Sequence, residues 1–307
     1  MSPSTSTPGS TRPPLPTETP SEAHADLDTY GTSALVTAFI EDQHVAVTAV
    51  ANAAADIARA VDAALPRIQA GGRLLYVGAG TSGRLGLLDS VELYPTFSWP
   101  RERAVAVLAG GRSAVYQAVE GAEDDAGQGA LDLEALGPTL NDVVLLVAAS
   151  GTTPYVRGAL LKAREVKALA IGFANNPDTP IVREADIGIT LDTGSELISG
   201  STRLKAGTAQ KVALNTFSSS LMVRLNKVYG NLMVDLVPTN AKLVRRAIRL
   251  TALAADCDEA TARATLEASH FQVKVAIVAI RKQLMPGKAA ELLQAAGGSV
   301  RAALGQP

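Results

Sequence analysis

Gly78-Ala79-Gly80-Thr81-Ser82-Gly83 lies between an apolar run, Leu74-Leu75-Tyr76-Val77, and a helical pattern that resumes at Arg84-Leu85-Gly86-Leu87-Leu88. A glycine-rich turn from strand into helix leaves backbone N–H groups unpaired and aims them at one point. The positive end of the helix dipole adds to them. With hydroxyls from Thr81 and Ser82, the turn around Gly80 suits an anion; a tight turn with solvated hydroxyls is the plain alternative. A second turn of the same kind, Ser150-Gly151-Thr152-Thr153-Pro154, follows the apolar run from Asp142 to Ala149. Two loops with small donors and no lysine suit a single phosphate. A nucleoside triphosphate would want the GxxxxGK[ST] pattern. The spacing Gly78-x-Gly80-x-x-Gly83 also fits a dinucleotide fingerprint, which requires a carboxylate at the end of the next strand. That strand ends Leu108-Ala109-Gly110-Gly111, without one.

The elements that must carry these loops are legible as an alternation. Strands are expected at 74–77, 104–108, 142–149, 168–173 and 187–191. Helices are expected between them, among them 115–122 and 156–166. Such βαβ units imply an α/β fold with a five-stranded parallel sheet flanked by helices, ligands sitting at the strands' carboxyl ends. Ahead of the sheet, apolar residues recur at helical spacing from about Asp26 to Gln69, and Gly71-Gly72 ends that pattern. Thr208 to Val223 is apolar nearly all round, as in a buried helix. Beyond Lys242 the pattern is helical to the end. The expected divisions are a disordered tail over 1–20, N-terminal helices over 21–54, the sheet domain over 55–235 and a small helical domain over 236–307.

Composition removes whole classes of function. The 307 residues carry a net charge of −2 without a basic stripe, and aromatic content is only 4%, which disfavours nucleic acid. One cysteine, Cys257, allows no intrachain disulfide. His24, His44 and His270 show no metal-ligand spacing, so no metal is expected. No apolar run of about 18 residues stands out and no signal peptide opens the chain, so a soluble cytoplasmic protein is expected, without membrane association.

Five segments carry a specific resemblance: GAGTSGRLGLLDSVELYPTF (78–97), AVEGAEDD (118–125), AASGTTPYV (148–156), ELISGSTRLKAGTAQK (196–211) and KVYGNLMVDLVPTNAKL (227–243). From about Thr17 to its end the chain resembles the N-acetylmuramic acid 6-phosphate etherases, a family built on the sugar isomerase (SIS) fold and related to the glucokinase regulatory protein. The resemblance implies a three-layer, flavodoxin-like SIS domain. It also implies cleavage of the D-lactyl ether of N-acetylmuramic acid 6-phosphate, giving N-acetylglucosamine 6-phosphate and D-lactate, without cofactor. An alkyl ether is a poor leaving group, but in the open-chain aldehyde the C2 hydrogen is acidic and the C3 ether can leave by elimination. Two carboxyls with separate roles suffice for that. The resemblance assigns the acid to Glu92 and the C2 base to Glu123, with Glu120 the nearest confusion. It gives the phosphate to Gly80, Thr81, Ser82, Ser150, Gly151 and Thr152. Ser201 and Lys205 would assist, with Arg203 or Lys205 meeting an anionic group. Partners are limited to the sugar phosphate and a second copy, since a homodimer is expected.

Three departures stand out. The acid lies in Val91-Glu92-Leu93-Tyr94-Pro95-Thr96 where the family has Ser-Glu-Cys-Pro-Pro-Thr. Thr152 replaces the arginine of Ser-Gly-Arg-Thr-Pro, and Ser21 stands where an asparagine follows Thr17-Glu18. Two rivals share the fold: a non-catalytic sugar-phosphate sensor, which retention of both glutamates argues against, and an aldose–ketose isomerase, which needs no acid at a C3 ether.

Overall fold

The computed structural model describes residues 15–236, 238 and 240–306. Five apolar runs form strands β1 (Leu74–Gly78), β2 (Ala104–Leu108), β3 (Val143–Val147), β4 (Leu169–Ala174) and β5 (Ile187–Thr190). They pair in parallel in the order β2-β1-β3-β4-β5. Every residue of β1, β3 and β4 is buried, as their unbroken apolar sequences require of strands covered on both faces. Alternation divides β1 between two cores. Leu74 and Tyr76 face one, with Ile57, Ile68, Phe173 and Phe217; Leu75 and Val77 face the other, with Leu133, Tyr155 and Leu160.

The first face is covered by α1 (Thr32–Asn52), α2 (Ala54–Gln69), α3 (Gly80–Phe97) and α7 (Lys205–Arg224). The second is covered by α4 (Ala126–Glu134), α5 (Pro154–Glu165) and α6 (Pro180–Glu184). Connections leaving β1 and β3 run in opposite directions across the sheet, so their following loops meet at a topological switch point. Polar clamps fix the strands at their opposite, amino-terminal ends and against the covering helices. Arg73 Nη2 donates to Asp142 Oδ2 at 2.8 Å, and the Arg73 backbone N–H donates to Oδ1 at 2.8 Å. Tyr76 Oη donates to Asp89 Oδ2 at 2.7 Å, and the Asn215 amide donates to Asp89 Oδ1 at 2.6 Å, tying α3 to β1 and α7. Burial, ahead of the neighbouring Asp89 charge, pushes the Tyr76 hydroxyl well above its usual range.

The remaining chain builds a second core of its own. A hairpin, β6 (Val228–Tyr229) with β7 (Leu232–Met233), leads into α8 (Ala241–Ala255), α9 (Glu259–Ala268), α10 (Val273–Lys282), α11 (Pro286–Ala295) and α12 (Val300–Leu304). Its centre is α10, whose Val273, Val275, Ile277 and Val278 are buried.

Some expectations need correction. The tail expected over 1–20 does not extend to its end: Leu15–Pro20 packs on the sheet domain, with Thr17 fully buried, while residues 1–14 lie outside the described residues. The helix expected at 115–122 is instead a 3-10 turn, Gly111–Val115, and another at Ala122–Asp124. Positive φ values at Gly110, Gly111 and Gly121 bend the chain out of any regular helix there. Finally, α1 is long and apolar enough by length and composition to cross a bilayer, contrary to the reading of the sequence. It packs along α7 here, with Asp42 near its middle paired to a buried lysine.

Candidate functional site

The first loop is tighter than its sequence suggested, because α3 begins at Gly80 and puts Thr81 and Ser82 in its first turn. Close approach explains the flanking glycines. A Cβ on Gly78 would meet the Gly83 Cα at 2.7 Å, and one on Gly83 would meet Leu108 Cδ1 at 2.2 Å. Gly80 takes a positive φ of 52°. The N–H groups of Gly80, Thr81 and Ser82 precede the first intrahelical bond, Gly83 N to Ala79 O, and stay free for a ligand. The second loop is built alike. Ser150 Oγ accepts from the Thr152 N–H at 3.2 Å, and Pro154 opens α5 at a position where no donor is needed. Gly151 has φ +69°, and a Cβ there would lie 2.0 Å from Thr179 Oγ1. Two helix N-termini, α3 and α5, therefore open on one cavity, a geometry suited to an anion.

The third wall comes from the segment before α7. Glu196, fully buried, accepts hydrogen bonds from the backbone N–H groups of Ala206 at 2.9 Å and Lys205 at 3.1 Å. Burial pushes its carboxyl up, against the pull of those bonds and of the Lys205 charge. The cap fixes Gly200 and Thr202 at the cavity. The fourth wall is the N-terminal strap. The Thr17 N–H donates to Asn176 Oδ1 at 3.2 Å, and the Asn176 amide donates to Thr17 Oγ1 at 3.0 Å and to Ala149 O at 2.9 Å. Thr17 O accepts from the Gly200 N–H, and Glu18 O accepts from Ser199 Oγ. Glu18 is thereby held at the cavity rim, its Oε2 lying 3.1 Å from where a Gly200 Cβ would stand.

The resulting cavity, about 400 Å³, is walled by Gly80, Thr81 and Ser82 from one loop and by Ser150, Thr152 and Thr153 from the other. Glu18, Glu123, Asp124, Gly200 and Thr202 close it. Of the residues expected from sequence, both loops and Glu123 are brought together. Gly151 shapes the second loop from behind, and Ser201 stands beside the lining pair Gly200 and Thr202 without lining the cavity. Lys205 is not at the cavity: its Nζ sits 2.6 Å from Asp42 Oδ1 with a side chain only 7% exposed. Arg203 is exposed. Glu92 is exposed on α3, and twelve residues beyond Gly80 a helical rise puts it roughly 18 Å down the axis, away from the loops. Missed by sequence were Glu18, Asp124 and Thr202. Each had a signal in the family-like stretches: Glu18 in the Thr17-Glu18 pair, Asp124 in 118–125 and Thr202 in 196–211.

A larger cavity of about 660 Å³ runs between α2 and α7, lined by Val50, Ile57, Val61 and Val223 among others. Its lining is mostly apolar, with Asp62, Thr216, Ser219, Ser220 and Arg224 at its polar part, whereas both strand-end loops open into the smaller, more polar one.

Comparison with known proteins matches this architecture. Residues 56–164 match the Glucokinase regulatory protein N-terminal SIS domain, and residues 138–220 match the SIS domain. The N-acetylmuramic acid 6-phosphate etherase of Deinococcus radiodurans is 54% identical, covering 95% of this chain and 96% of its own. The proteins of the same name from Edwardsiella ictaluri and Rubrobacter xylanophilus are each 47% identical. They cover 94% and 95% of this chain, and 96% of their own length in each case.

Proposed function

This chain belongs to the N-acetylmuramic acid 6-phosphate etherase family, and we propose that it cleaves the D-lactyl ether of that sugar phosphate to N-acetylglucosamine 6-phosphate and D-lactate. The single observation that supports the reading is the meeting of two glycine-rich helix N-termini with a carboxylate, Glu123, in one cavity. The loops hold the 6-phosphate of the open-chain sugar. Glu123 takes the C2 proton, and the electron pair becomes an enolate with the C1 aldehyde. The enolate collapses to a C2–C3 double bond as the C3–O bond breaks, and a carboxylic acid protonates the departing lactate oxygen. That acid, now a carboxylate, takes a proton from water as the water oxygen adds to C3, and Glu123, its proton meanwhile exchanged with solvent, protonates C2. Water is consumed and no electrons change hands.

The protonating acid is Glu92, acting on the site of a second copy. Its place roughly 18 Å along α3 from the cavity of its own protomer favours that reading, and its surroundings suit an interface. Leu88 and Val91 beside it are 45% and 57% exposed, and α1, packed with α3 against α7, exposes Val36, Ile40 and Val47. Exposed aliphatic residues gathered on neighbouring helices favour a partner of the same kind. A second reading gives the acid role to Glu18, because it shares the cavity with Glu123 in one chain.

Reaction in D2O enriched in H2¹⁸O tests the route. The amino sugar product should carry deuterium at C2 and ¹⁸O at C3, and the lactate no ¹⁸O. Label in the lactate hydroxyl would mean displacement at the lactyl carbon and would end the elimination reading.

A further inference from the structure

Beside the phosphate cavity lies a smaller one of about 230 Å³ that shares Ala79, Gly80 and Glu123 with it. We propose that this second cavity is the subsite for the lactyl group, with Arg84 binding its carboxylate. The inference rests on the etherase reading and names the part of the substrate that distinguishes it from its sugar product.

The two cavities divide by charge. Among the described residues that line either of them, Arg84 is the one lysine or arginine. Thr152 occupies the loop position where the family has an arginine, so a second anionic group has nowhere else to find a cation. Arg84 is also pre-positioned. Its Nε donates to Ala114 O at 3.0 Å and to Val115 O at 3.2 Å, and its Nη2 donates to Gln117 O at 3.4 Å. Those bonds fix the guanidinium plane from one side. Nη1 makes no hydrogen bond among the described residues and leaves donors for a carboxylate, a geometry for which the guanidinium fork is suited.

The rest of the lining fits the other half of lactate. Ala109, Ala114, Ala118, Val119 and Ala122 supply an apolar wall for a methyl group. Glu123 stands where the cavities join, so a sugar with its phosphate in one and its C3 substituent in the other presents C2 to that carboxylate. Arg84 offsets the repulsion that Glu120 and Glu123 would exert on an incoming anion.

Arg84→Gln and Ala118→Leu should be compared with wild type for two ligands, N-acetylmuramic acid 6-phosphate as substrate and N-acetylglucosamine 6-phosphate as inhibitor. Ala118 is exposed, so its enlargement fills the cavity without disturbing the core. Loss of the charged hydrogen bonds should raise KM for the lactyl substrate on the order of 30- to 100-fold. The inhibition constant of the lactyl-free sugar should stay within about twofold. Ala118→Leu should give the same one-sided loss in smaller measure. Equal weakening of both ligands by Arg84→Gln, or no effect of either change on substrate, would overturn the subsite. Failure of wild type to release lactate would instead remove the etherase reading on which it rests.

Discussion

At the scale of single residues the proposed roles divide the site into groups that bind and groups that move protons, and each should fail differently. Glu123→Gln should abolish both lactate release and exchange of the C2 proton with D2O, since no base then reaches C2. Glu92→Gln should suppress release by about 10²- to 10⁴-fold while leaving C2 exchange, since only the acid is gone. Loss of exchange in the Glu92 variant, or its survival in the Glu123 variant, would refute these roles. The binding loops were legible because glycine, serine and threonine between an apolar strand and a helix have few other uses. Lys205 was misassigned because sequence shows a cation but not its direction. The side chain turns inward to Asp42 on α1, a residue 163 positions away, while the backbone of the same turn is capped by Glu196.

At the scale of elements the sheet holds the two loops at one switch point, and the fixtures of that register are testable. Gly151→Ala would place a Cβ 2.0 Å from Thr179 Oγ1 at φ +69°, so the second loop must shift. Strain of this kind costs on the order of 1–3 kcal/mol, and substrate affinity should drop with stability. An unchanged KM in that variant would mean the loop does not hold phosphate. Asp142 clamps β1 to β3. Burial alone would raise its carboxyl, but hydrogen bonds from the Arg73 side chain and from the backbone N–H groups of Thr139 and Arg73 hold it below its ordinary 3.8. The unfolded chain therefore binds that proton more readily, so the clamp's stability is present above about pH 4 and is lost as pH falls further. Asp142→Asn should cost about 3 kcal/mol at pH 7 in denaturant unfolding, and the deficit should shrink at pH 3. A constant deficit would contradict the clamp. Five strands were legible to within a residue or two from their unbroken apolar runs. The stretch 115–122 was not, because its helical spacing competes with glycines at 110, 111 and 121 that only the folded backbone reveals as left-handed.

At the scale of the whole molecule the proposed role of Glu92 calls for two copies, because Glu92 and the cavity lie at different places on one chain. Ile40→Asp, on the exposed apolar face of α1, should yield a monomer by sedimentation that releases no lactate. Retained activity in a monomer would return the acid role to Glu18. Mixing Glu92→Gln with Glu123→Gln subunits gives a sharper outcome. Random pairing makes half the dimers mixed, each with one intact site, so roughly a quarter of wild-type activity should reappear. The helical C-terminal core joins the sheet domain through Asp235, which pairs with Lys227 at 2.7 Å and Lys274 at 2.9 Å. Separate cores were foreshadowed by the change from alternating to purely helical pattern, whereas assembly leaves no periodic signal in a single sequence, so the expected homodimer rested on the family resemblance alone.

The central claim, ether cleavage with Glu123 as the base, is tested most directly by D-lactate release from N-acetylmuramic acid 6-phosphate by the purified wild-type protein and its Glu123→Gln variant. The account predicts stoichiometric lactate from wild type and none above background from the folded variant. Binding of the sugar phosphate by wild type without release of lactate, or equal release by both proteins, would contradict it.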